Sequence, residues 1–318
     1  MIVPILLILV GFVLLIKGAD WMVSGSSALA KKNNISNIAI GLTIVAFGTS
    51  TPELVVNSFA SFQGHSDIVF GNVIGSNNFN LFIILGIVGL ISPIVVQSNT
   101  VWKEIPLSLF AVVILYLLCN SFFFQETAVL TRLDGLVLIV MFGLFLFYVY
   151  KQLKTETLVP EIAIIPMSTR KIWSLIFIGL SGLVLGGKLV VDNAVEVASS
   201  MGVSEKIIGL TIVAAGTSLP ELVTSVVAVM RKNNDIAIGN IIGSNIFNIF
   251  LILSVSSFIR PIEFAPLFNT DLYILAGGTI FLFIAMFTGV KKKLDRWEAA
   301  LLLVSYLAYT VYLIGKEV

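Results

Sequence analysis

Charge is the scarcest commodity in this chain. Only 12% of its 318 residues are Asp, Glu, Lys or Arg, against about 25% in an ordinary soluble domain. Hydrophobic residues make up 58% and the mean hydropathy is +1.04. That leaves too little polar surface to coat a water-soluble globule, so the solvent must be lipid. Cysteine occurs once, at Cys119, which excludes an intrachain disulfide. Histidine occurs once, at His65, in a short polar connection where a solvated side chain is expected rather than a metal ligand. A net charge of +1, with no basic aromatic-rich face, gives no footing for nucleic acid.

Long apolar runs are what the chain has instead. A helix needs roughly 20 mostly apolar residues to cross the hydrocarbon core. Ten runs qualify: 2–28, 38–62, 68–92, 105–119, 133–150, 172–195, 206–230, 236–259, 272–290 and 297–314. They are too long, and too poor in strict alternation, for a β-barrel. The first has no basic residue before it and reads as a retained helix rather than a cleaved signal. Alternating the connections puts thirteen Lys and Arg on one side, from Lys31 and Lys32 to Lys293 and Arg296. The other side has only Arg132, Lys206, Arg260 and Lys316. The positive-inside bias therefore predicts a multi-pass protein of the cell membrane with both termini outside and the central loop cytoplasmic. Trp21, Trp102, Trp173 and Trp297 fall near the ends of runs and read as interfacial anchors.

The chain repeats itself. Ile40–Val55 reads IGLTIVAFGTSTPELV and Ile208–Val223 reads IGLTIVAAGTSLPELV, agreeing at fourteen of sixteen positions. At the same offset, Asp67–Phe82 and Asp235–Phe250 agree at eleven of sixteen. Shared Gly, Thr, Ser, Pro, Glu and Asn in register mark a duplication, because apolar composition alone would repeat only Ile, Val and Leu. Ten helices divide as five plus five, and an odd number per half predicts that the second copy enters from the opposite side. The expected fold is all-α, with ten transmembrane helices in two inverted five-helix repeats. The first repeat is 1–150, a cytoplasmic linker is 151–171, and the second repeat is 172–318. Such folds place their sites near the midplane on broken helices.

Two signatures carry chemistry. In Gly48–Glu53 and Gly216–Glu221, Pro52 and Pro220 remove a backbone donor in the middle of an apolar run. The helix should therefore kink or unwind around Thr49 and Thr217 and free carbonyl oxygens that a cation can use. Glu53 and Glu221 follow, and no Lys or Arg in either helix neutralises them. A carboxylate at bilayer depth is costly unless paired, protonated or facing a polar cavity. A protonated structural acid is the plain alternative to an ion ligand. In the second signature, Asn72, Ser76 and Asn80 share a helical face, as do Asn240, Ser244 and Asn248. They can ligate or simply bond between helices. Gly71, Gly75, Gly239 and Gly243 should allow close helix approach. Lys17 with Asp20, and Lys188 with Asp192, are spaced for ion pairs along one helix. All the donors are hard oxygens, which points to Na+, Ca2+ or H+ and away from Zn2+ or Cu+. Two acids balance one Ca2+, and competition by Na+ or protons for the same oxygens is what antiport requires.

These paired motifs, G-T-S-x-P-E and G-N-x-I-G-S-N, resemble the two α-repeats of the cation/Ca2+ exchanger superfamily, in particular prokaryotic sodium/calcium exchangers. The likeness covers essentially the whole chain. It implies Na+/Ca2+ exchange without a cofactor, an enzymatic activity or a required protein partner, acting on small cations in the lipid bilayer. It implies Glu53 and Glu221 as the central carboxylates, with backbone oxygens from Thr49 and Thr217. It also implies flanking Na+ sites built from the Ala46 and Ala214 carbonyls with Ser50, Ser218, Ser76 and Ser244, and Asn80 and Asn248 lining the middle. The chain departs from the family at Asn248, where exchangers of this type carry aspartate, so Asn248→Asp is expected to alter Na+ dependence. Ca2+/H+ exchange is the alternative within the class and a cation channel the alternative outside it. An intramembrane hydrolase lacks a base for Ser50 or Ser218 other than glutamate.

Overall fold

The computed structural model describes residues 2–120, 128–153, 167–201, 214–289 and 291–317. The start of the expected run at Lys206, the repeated stretch 208–213 and the linker residues 154–166 lie outside these. The described residues are helical almost throughout. Helices α1 (Ile2–Lys32), α2 (Asn37–Thr49), α3 (Thr51–Gln63), α4 (Ser66–Ile91), α5 (Thr100–Cys119) and α6 (Arg132–Leu153) belong to the first half of the sequence. Helices α7 (Thr169–Ser200), α8 (Ala214–Gly216), α9 (Leu219–Met230), α10 (Asn234–Ile259), α11 (Phe268–Ala285) and α12 (Arg296–Glu317) belong to the second. Among the described residues seven helices are long and apolar enough to cross a membrane, eight when α2 and α3 count as one bent span. Each of the ten expected runs meets helix in its described part.

The chain forms two compact units, each drawing on both halves of the sequence: Met1–Val56 with Met141–Ser244, and Asn57–Val140 with Asn245–Val318. In the first, α1 and α7 pack backbone against backbone. A Cβ on Gly18 would lie 2.7 Å from the Gly179 carbonyl oxygen, and one on Gly186 would lie 2.7 Å from that of Gly11. Without a hydrophobic drive between helices in lipid, such close approach supplies the dispersion contact that holds them together. Gly239 and Gly243 do the same for α10, where added Cβ atoms would lie 2.8 Å from the Ile38 oxygen and 2.8 Å from the Ala46 Cβ. Their first-half counterparts behave differently. Among the described residues a Cβ on Gly75 meets nothing within 4 Å, and one on Gly71 comes only to 3.8 Å from Phe268.

Asp20 does not take Lys17 as its partner. Arg231, at the end of α9, reaches both its carboxylate and the Ser24 hydroxyl. The guanidinium fork can engage both groups at once, which an ammonium one turn away on the same helix cannot match. The two side chains remain 39% and 40% exposed, so the pair is screened. Arg231→Gln should cost less than about 1 kcal/mol, read as a small shift in unfolding temperature in detergent.

In the second unit, four two-residue strands pair reciprocally. β1 (Ile94–Val95), after α4, pairs antiparallel with β4 (Lys293–Leu294), before α12. β2 (Val129–Leu130), before α6, pairs antiparallel with β3 (Ile262–Glu263), after α10. Each pair joins the exit of α4 or α10 to the entry of the last helix of the other half of the sequence, α12 or α6.

Candidate functional site

The signature helices break where proline and glycine predict. α2 ends at Thr49, Ser50 adopts φ −82° and ψ 7°, and α3 continues at an angle of 47°. In the second copy Ser218, between α8 and α9, adopts φ −90° and ψ 7°. Pro52 and Pro220 occupy first turns, where a missing N–H costs nothing. The breaks leave Glu53 and Glu221 in the first turns of α3 and α9. There the unsatisfied N–H ends of the helix favour negative charge.

Each acid is held by the other repeat. Ser50 donates its hydroxyl to Glu221 Oε1 at 2.9 Å. Ser218 donates to Glu53 Oε1 at 3.3 Å. Both acids are 1% exposed, and they stand close enough to repel one another. Ser244, from α10, donates to the same Glu221 oxygen at 3.4 Å. Glu221 Oε2 accepts no hydrogen bond among the described residues. Glu221 Oε2 is therefore an oxygen open to a cation.

Asn240 braces this arrangement. Its amide nitrogen donates to Ser225 Oγ at 3.0 Å and to the main-chain oxygen of Glu221 at 3.3 Å. Its oxygen accepts from the Thr49 hydroxyl at 2.9 Å. Asn240 thus takes the interhelical bonding role of the two that the sequence left open. The Ala46 carbonyl accepts the Ser50 N–H at 2.9 Å and the Thr49 hydroxyl at 3.3 Å. Thr217 lies in the turn before Ser218, and Ala214 opens α8.

The asparagines of the second signature meet in the other unit. Asn80 Nδ2 donates to Asn245 Oδ1 at 3.1 Å, and Asn248 Nδ2 donates to Asn77 Oδ1 at 2.9 Å. The oxygens of Asn80 and Asn248 are buried and accept no hydrogen bond among the described residues. Ser76 donates to Asn72 Oδ1 at 3.3 Å, unlike its counterpart Ser244, which serves an acid. A π-helical turn covers Phe79–Ile84 and another Asn248–Ile252. Such wide turns cluster at functional positions. Neither they nor the part played by Asn77 and Asn245 was read from the sequence, although both asparagines repeat in register. Among the described residues no group of three or more His, Cys, Asp or Glu is placed to hold a metal ion. The donors are one acid pair and neutral oxygens.

An all-helical membrane protein of two intertwined repeats, with paired buried acids on interrupted helices, is the class that this fold and site define. The chain belongs to the sodium/calcium exchanger protein family, whose model matches residues 3–151 and 171–315. It is 32% identical to sodium/calcium exchanger MaX1 of Methanosarcina acetivorans, over 98% of each chain. It is 36% identical to inner membrane protein YrbG of Escherichia coli, over 82% of this chain and 81% of that one. Its structure is similar to that of the sodium-calcium exchanger NCX_Mj soaked with zero Na+ and Ca2+. The TM-score is 0.84 at 33% identity, covering 98% of this chain and 99% of the other.

Proposed function

We propose that the chain is a secondary active antiporter that exchanges Na+ for Ca2+ across the cell membrane by alternating access. The reciprocal pairing of each repeat's serine with the other repeat's acid carries this reading. It puts two acids and several hydroxyl oxygens together in one buried place.

Glu53 and Glu221 hold Ca2+, with main-chain oxygens at Thr49 and Thr217. Ca2+ takes roughly six to eight oxygens in adaptable geometry, and two carboxylates match its charge. The Ala46 and Ala214 carbonyls, with the hydroxyls of Ser50, Ser218, Ser76 and Ser244, hold Na+. Asn80 and Asn248 add neutral amide oxygens. An unoccupied acid pair is costly to keep dry, so a bound cation is what makes the closed site favourable. Ca2+ and Na+ compete for the same oxygens, and their differential binding couples the two fluxes. In this reading ten spans form two inverted five-helix repeats, 1–150 and 172–318. The linker 151–171 is cytoplasmic and both termini are outside. The reciprocal strand pairs support the two-fold relation. The chemistry calls for no cofactor and no protein partner.

The test is uptake of radioactive Ca2+ into Na+-loaded proteoliposomes diluted into Na+-free medium. Uptake well above that of protein-free vesicles is expected, and external Na+ should abolish it. Uptake driven only by a pH gradient would replace this reading with Ca2+/H+ exchange, and uptake that ignores both gradients would remove antiport altogether.

A further inference from the structure

Asn77 and Asn245 face one another across the repeat and spend their amides in the same way. Asn77 Nδ2 donates to the main-chain oxygen of Asn245 at 3.2 Å, and Asn245 Nδ2 donates to that of Asn77 at 3.3 Å. With its nitrogen placed at a main-chain acceptor, the opposite end of each amide, which meets a third group, is its oxygen. That third group is the side chain of Asn248 for Asn77, and of Asn80 for Asn245. Those two must therefore present nitrogen to the clasp, and their own oxygens must face away from it. Both outward oxygens are buried without a hydrogen bond among the described residues. A buried acceptor left unsatisfied is costly, and two placed symmetrically call for a common ligand. The main chain is fixed at the same points. Leu85 N–H bonds the Asn80 carbonyl and Leu253 N–H bonds that of Asn248, closing the two π-helical turns.

We propose that Asn77 and Asn245 are positioning residues for the cation, each locking the ligand amide of the opposite repeat with its oxygen outward. Asn77 orients Asn248, and Asn245 orients Asn80. The clasp acts as a selectivity device, because it admits a donor at positions 80 and 248 only on its inner side and offers the ligand an uncharged acceptor. This rests on the antiport reading, in which Asn80 and Asn248 supply oxygens to the cargo.

A simple structural glue predicts no particular pairing among the four, whereas the clasp predicts a crossed one. Equilibrium Ca2+ binding to the purified full chain in detergent tests it, with Asn→Ala at each position and in pairs. Asn77→Ala and Asn248→Ala should each weaken Ca2+ about tenfold, the range for partners that orient metal ligands. Together they should weaken it no more than either alone, because the second change acts on an amide already released. Asn245→Ala with Asn80→Ala should behave likewise. Asn77→Ala with Asn80→Ala should instead multiply to about 100-fold. Unfolding temperature without Ca2+ identifies variants that fail to fold. In that event Asn77→Ser, too short to reach Asn248, goes through the same cycle. Equal multiplication in crossed and uncrossed pairs, or Ca2+ affinity within about twofold for Asn77→Ala against the tenfold expected, overturns the inference and leaves antiport standing. A wild-type chain that binds neither Ca2+ nor Na+ overturns both.

Discussion

Glu53→Gln and Glu221→Gln should each lower Na+-driven Ca2+ uptake by more than about 100-fold, since altering even an outer partner of a metal ligand costs 10–100-fold. Glutamine matches glutamate in size and keeps an oxygen that can accept from Ser218 or Ser50, the present donors. The packing therefore survives, and the change removes the charge and turns one acceptor oxygen into an amide donor. Unfolding temperatures without cation should stay at or above that of the wild type, because removing one acid relieves the repulsion between the two. The two variants should be about equally impaired, as the reciprocal geometry requires. Appreciable Na+-driven uptake by either one would show that its carboxylate does not hold the cargo. Vesicle flux measured alongside calorimetric Ca2+ binding separates lost affinity from lost movement.

The second large effect belongs to the α1–α7 contact. Gly18→Leu places a Cβ 2.7 Å from the Gly179 oxygen and 2.8 Å from the Leu183 nitrogen. Both are main-chain atoms on a long helix, so neither can step aside as a side-chain tip would. The helices must separate along the seam, and the stacked contacts at Gly11 and Gly186 go with it. Overpacking of this kind costs about 1–3 kcal/mol or more, which should lower the unfolding temperature by about 5 °C or more. Gly143→Ala is the control. Among the described residues its Cβ would meet nothing within 4 Å, and alanine favours a helix interior by about 0.5–1 kcal/mol. It should leave the unfolding temperature unchanged or raise it. Equal destabilisation by both changes would mean that the seam is no tighter than an open helix face.

What the sequence made legible follows from what duplication preserves. Two in-register copies of Gly-Thr-Ser-x-Pro-Glu exposed the acids, the breaks beside them and the hard-oxygen chemistry without any coordinates. The breaks at Ser50 and Ser218 are local events, dictated by Pro52 and Pro220, so local reasoning reached them. Partner choice is not local. That Ser50 serves Glu221 rather than Glu53, and that Asn77 orients Asn248 rather than Asn80, depends on how one copy threads the other. Identical motifs do not say which copy's donor meets which acceptor. Asp20 shows the same limit: Lys17 lies within reach along the helix, yet Arg231, more than 200 positions away in the chain, offers the better fork. The π-helical turns at Asn80 and Asn248 have no signature that a helical period would reveal. The glycines of the second motif match in sequence, but only Gly239 and Gly243 press against a neighbour among the described residues.

The crossed serine–glutamate bonds bear on how such a molecule could have arisen. A lone half would hold an acid without its present hydroxyl donor and a hydroxyl without its present acid. Such a half could form the same crossed bonds only by meeting a second copy of itself. For the same reason, two separately expressed halves of the present protein should regain together the activity that neither shows alone.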